Sequence, residues 1–167
     1  MKRFVLFVIL GLSLQSCQTK SEINEQKLQV TLQGEMLFEG ANTLQAAAKD
    51  YLVKLEESSG VPAKQWTALY IESIEVNFPE EETTKPESLL FQIVSNDQEM
   101  VSLGTLSPVP DGQKNYMIPV AAEAPDLLPY FEDKGLTWVL DLNLAADHLD
   151  PLKVEGLLSF RIEYQES

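Results

Sequence analysis

The sequence predicts a mainly β domain with one helix: an antiparallel β-sandwich of about seven strands, with an amphipathic helix after the first strand. Three observations lead there. Most segments beyond residue 28 alternate apolar and polar residues, the pattern of strands with one buried and one wet face. One segment switches to a spacing of three and four, which is one face of a helix. Turn-forming residues separate the segments at short intervals, as in sandwiches and barrels. The alternative architecture is α+β, a single curved sheet packed on the helix.

The first strand is read from Leu28, Val30, Leu32, Met36 and Phe38, interleaved with Gln29, Thr31, Gln33, Glu35 and Glu39 and bent at Gly34. Leu44, Ala47, Ala48, Tyr51, Leu52 and Leu55 then place a helix over 43–58, with Asn42 as its cap, Gln45 at the capping-box position, and Gly60 and Pro62 as its stop. A strand runs from Ala68 to Phe78 and an acidic loop, Glu80-Glu81-Glu82, follows Pro79. Leu89, Phe91 and Ile93 mark the next strand; a short one lies near 100–105, and Tyr116, Ile118 and Val120 mark another. A helical turn is expected over 126–133, with Leu127, Leu128 and Phe131 inward. Two long strands finish the domain, one with Leu136, Trp138, Leu140, Leu142 and Leu144 on one face, the other with Val154, Leu158, Phe160, Ile162 and Tyr164.

The N-terminal segment carries a different message. Lys2 and Arg3 precede an apolar run of 11 residues, Phe4 to Leu14, and small Ser16 precedes Cys17, the single cysteine of the chain. This is the layout of a secretory signal. The run is too short to span a bilayer as a helix, which takes about 20 residues. Leu14-Gln15-Ser16-Cys17 resembles the lipobox of bacterial lipoprotein precursors. The resemblance implies cleavage before Cys17, acylation of its sulfur, and palmitate-type chains holding the protein to a membrane at the cell envelope. Gln18, where enteric lipoproteins retained at the inner membrane carry Asp, implies the outer membrane. Thr19-Lys20-Ser21-Glu22 resembles the export tags of surface lipoproteins in the Bacteroidetes. The expected organisation is a signal peptide over 1–16, the lipidated cysteine and a flexible tether over 17–27, and one β-rich domain over 28–167.

Cleavage would leave 151 of the 167 residues and, with Lys2 and Arg3 gone, take the formal charge from −14 to −16. That balance excludes nucleic acid as a partner, because phosphate binding requires clustered Lys and Arg. An acylated Cys17 leaves no thiol for a disulfide, a metal or a nucleophile. No cofactor is implied: the sequence has neither a glycine-rich phosphate loop nor a Gly-x-Ser-x-Gly elbow.

Few residues remain for chemistry. His148, the single histidine, lies in Asp147-His148-Leu149-Asp150 and reads as a turn residue. Asp141, Asn143, Asp147 and Asp150 are hard oxygen ligands of the kind calcium takes, but Ala145 and Ala146 break the EF-hand spacing. Trp66 stands at a strand start and is the candidate stacking platform for a small ligand or glycan. The expected function is non-enzymatic: an envelope lipoprotein that binds another envelope protein in an accessory or adhesive role. The alternative is a small-ligand or glycan-binding module at the cell surface.

Overall fold

The computed structural model describes residues 20–47, 50–80, 84–133 and 135–166. The expected signal peptide, over 1–16, and Cys17 lie outside the described residues. Eight strands form one antiparallel sheet: β1 (Lys20–Gly34), β2 (Gly40–Ala47), β3 (Trp66–Asn77), β4 (Pro86–Val94), β5 (Val101–Leu106), β6 (Asn115–Ile118), β7 (Thr137–Leu144) and β8 (Leu152–Gln165). Their order across the sheet is β5-β4-β7-β2-β1-β8-β3-β6.

The mainly β, antiparallel class is as expected, but the seven-strand sandwich is not. There is one sheet, and it curls until its two edges meet. Gly104 of β5 bridges Val120, just beyond β6, and Ala121 N–H donates to the Leu103 carbonyl at 2.7 Å. The approach depends on glycine: a Cβ on Gly104 would lie 2.5 Å from the Pro119 carbonyl oxygen. The result is a nearly closed barrel with hydrogen-bonded edges.

Inward residues fill the barrel. Trp138 stacks at a tilt against Phe91, with ring centroids 5.7 Å apart, and meets Phe131 edge-on at 5.9 Å. Phe160 joins the cluster 5.7 Å from Phe131. Leucine, isoleucine and valine side chains from every strand extend this core over its length, with Leu103 from β5 and Ile118 from β6.

The helix is shorter than its pattern implied and starts later. Residues 40–47 form β2, paired with β7 from Gly40↔Leu144 to Ala47↔Thr137. Leu44 and Ala46 point inward while Thr43 and Gln45 are exposed, so the period is two. Helix α1 (Tyr51–Ser59) follows Asp50, which lies in the left-handed region with no side-chain cap. Asn42 is therefore not the cap. Gly60 ends the helix at φ 70°, its N–H donating to the Glu56 carbonyl, the usual C-terminal role of glycine. Leu55 is fully buried against the sheet, and α1 packs along β1. Helix α2 (Leu128–Glu132) sits where a helical turn was expected, with Tyr130 and Phe131 buried. Leu127 N–H donates to the Leu69 carbonyl, fixing α2 to β3.

Residues 20–27, expected as tether, are part of β1. They pair with β8 from Lys20↔Gln165 onward, across an irregularity between Ile23 and Gln26. Their polarity is met by an ion-pair network on the outer wall. Arg161 of β8 reaches Glu163 at 2.7 Å, Glu22 at 3.4 Å and Glu72 at 3.9 Å, and its guanidinium lies 4.5 Å from the Tyr70 ring centroid. The hydrogen bond to Glu163 and the surrounding carboxylates raise the Arg161 pKa.

Candidate functional site

The antiparallel topology gives the barrel two distinct ends. β1, β3 and β7 start at the end that carries α1 and α2, and run to the other. At that far end two loops meet, residues 35–39 after β1 and 145–151 after β7. An isolated bridge joins them: Leu37 and His148 exchange both backbone hydrogen bonds at 2.8 Å. Asn42 accepts from Phe38 N–H at 2.9 Å and donates to the Phe38 and Gly40 carbonyls. Asp147 accepts from Glu39 N–H at 2.8 Å. The two loops thus form one braced tip.

The bridge decides which side chains face out. Leu37 is 3% exposed. Its neighbours Met36 and Phe38 are both exposed instead. Met36 is 62% exposed, Phe38 55%, and Leu149, which lies opposite Met36 in the bridge register, 65%. Exposed Glu35, Glu39, Asp147 and Asp150 surround them on the same two loops. Lys85, just before β4, and Lys153 in β8 lie at the margin.

Continuous alternation from Leu28 placed Met36 and Phe38 on the buried face. Two features overturn that. β1 ends at Gly34, and Met36 takes a left-handed backbone, φ 49°. A one-residue change of phase sends every later side chain to the opposite face. The charged, glycine-flanked stretch Gly34–Gly40 was the available signal that the strand stops there.

The other candidates do not assemble. Trp66 is 6% exposed, and its indole N–H donates to the Val61 carbonyl at 3.0 Å. It is an anchor between α1 and β3, not an exposed platform. Asp141 accepts from the Thr43 hydroxyl at 2.6 Å, and Asn143 donates to Glu87 at 2.6 Å. With Asp147 engaged at the Glu39 amide and Asp150 exposed, the four proposed oxygen ligands are dispersed. Among the described residues, no group of three His, Cys, Asp or Glu side chains could hold a metal ion. His148 is half-buried at the base of the tip. Residues 81–83, with two of the three successive glutamates, lie outside the described residues.

The outer wall carries shallow open depressions. One of about 390 Å³ is lined by Lys27, Gln29, Ser73, Glu75, Leu157 and Ser159, and the Ser73 and Ser159 hydroxyls hydrogen-bond across its floor at 2.5 Å. Among the described residues, no helix is long and apolar enough to cross a membrane.

No protein-family model and no curated protein matches the chain. One solved structure to which it is similar is that of Desmodium yellow mottle tymovirus, with 10% identity, a TM-score of 0.36, and 99% of this chain and 97% of that chain covered. A likeness at that level assigns neither fold nor function.

Proposed function

We propose that this chain is an envelope lipoprotein, cleaved before Cys17 and acylated there, whose domain works without catalysis by binding another envelope protein through its outer surface. Gln18 favours the outer membrane. The observation that supports surface binding is the filled interior: Trp138, Phe91, Phe160 and Phe131 occupy the space that a ligand-carrying barrel leaves open. The glycan reading leaned on an exposed Trp66, and that ring is buried.

Lipidation would also orient the domain. Lys20 is three positions after Cys17, a reach of about 10 Å at most. β1 begins at Lys20, so the end bearing α1 and α2 would lie close to the bilayer. The tip follows Gly34, roughly 45 Å along the strand, and would face away.

The test is a pull-down from detergent-solubilised envelope, comparing wild type with Cys17→Ser. A specific protein should be recovered with wild type and depleted with the variant. Recovery of no specific protein from wild-type envelope would remove the accessory role.

A further inference from the structure

We propose that the tip formed by Met36, Phe38 and Leu149 docks a short cationic amphipathic segment of a second protein, one with apolar residues at its centre and Lys or Arg on either side. This rests on the surface-binding reading and names the place and the chemistry of the contact.

Four observations carry it. The three side chains are among the most exposed large apolar residues of the described structure, and they lie on the two loops that the Leu37–His148 bridge joins. The face is braced before any partner arrives, by the bridge and by the bonds from Asn42 and Asp147, which lowers the ordering cost of binding. Met36 is held in a left-handed backbone, φ 49°, a conformation that is sterically costly for a residue with a Cβ. Glycine would adopt it freely, so stability is given up to hold a thioether side chain in solvent. Finally, the apolar centre is bordered by four carboxylates on the same two loops.

Charge and size select the occupant. An anionic bilayer and a second copy of this chain, which carries −14, would both meet repulsion at that border. Taking an aromatic side chain's area, about 150–250 Å², as an upper bound for each, the three exposures amount to at most roughly 450 Å² of apolar surface. A stable globular interface needs about 800 Å² from each partner. The patch fits a segment a few turns or strands long, whose flanking cations reach Glu35, Glu39, Asp147 and Asp150.

The test places a photo-crosslinking benzoylphenylalanine at position 38 of the full-length protein in living cells, with position 53 on α1 as the control, and maps the cross-linked peptides by mass spectrometry. The expected product joins position 38 to a net-positive, apolar-centred segment of another protein. Its yield should fall about tenfold in Leu149→Ser, in Met36→Gly, and in Glu35→Lys combined with Asp150→Lys. All these substitutions lie at exposed sites, and Met36→Gly should melt no lower than wild type, which separates docking from folding. Cross-links from position 38 to a second copy, to lipid, or to a neutral or acidic segment would overturn the proposal. So would no product from position 38. A specific product from position 53 alone would leave the surface-binding reading standing and reject this tip.

Discussion

Asp133 shows how a single side chain can serve the fold without serving a site. Its carboxylate accepts from Gly135 N–H at 2.9 Å and from Asp97 N–H at 2.8 Å, tying the turn after β4 to the segment before β7. The Gly135 and Asp97 amides hold its pKa below the ordinary value. A carboxyl depressed by folding contributes stability that is present above its unfolded pKa, near 4, and lost as pH falls through the folded value. Asp133→Asn should therefore melt below wild type at pH 7, and the gap should narrow as pH is lowered toward 3. Parallel melting curves across that range would show that the carboxylate contributes nothing. At the centre of the core, Trp138 touches Phe91, Phe131 and Phe160, and Trp138→Ala should cost about 3–5 kcal/mol in chemical denaturation. That burial was legible, because Trp138 shares a face with four leucines. The burial of Trp66 was harder to read. The carbonyl that takes its N–H lies five residues back, beyond a 3-10 turn, and its cross-strand neighbour Tyr164 is almost a hundred residues away.

At the scale of elements, local periodicity worked where one face met the core and failed where pairing decided. β4 and β8 alternate cleanly, β3 and β7 over part of their length, and all four fall within a few residues of their expected limits. In 43–48 both periods are present: Leu44, Ala47 and Ala48 fit a helix, Leu44 and Ala46 a strand. Strand wins because β7 offers backbone partners along the whole of Gly40–Ala47, a non-local reward that outweighs a weak local preference. In 20–27 the polar sequence carries no periodicity, and the order comes from β8 and from Arg161 on the neighbouring strand. Exposed ion pairs are individually weak, so Arg161→Ala should leave the global melting temperature nearly unchanged. Amide exchange of residues 20–26 should nevertheless accelerate markedly, since among the described residues this stretch pairs with β8 alone. Unchanged exchange there would mean that backbone pairing alone holds it.

For the molecule as a whole, the mainly β, antiparallel character was readable, but the strand number and the closure were not: about seven strands were expected and eight form the sheet. A sandwich and a barrel present the same alternation; they differ in whether the two outermost strands meet, and that contact joins Gly104 to Val120. Gly104→Ala should force the Pro119 carbonyl aside and destabilise the protein by about 1–3 kcal/mol, with faster amide exchange concentrated in β5 and β6. The tip was half legible: its acidic and apolar residues stand out in the sequence, but their outward direction follows from the end of β1 and the backbone of Met36. The proposed lipid attachment would link all of this to a place in the cell, and it is measured most directly by the intact mass of the protein purified from the envelope of its native cells, after growth with labelled palmitate. The account predicts a chain that begins at Cys17 and carries labelled acyl groups on that residue. A chain still bearing Met1 to Ser16, or a Cys17 with an unmodified sulfur, would contradict it.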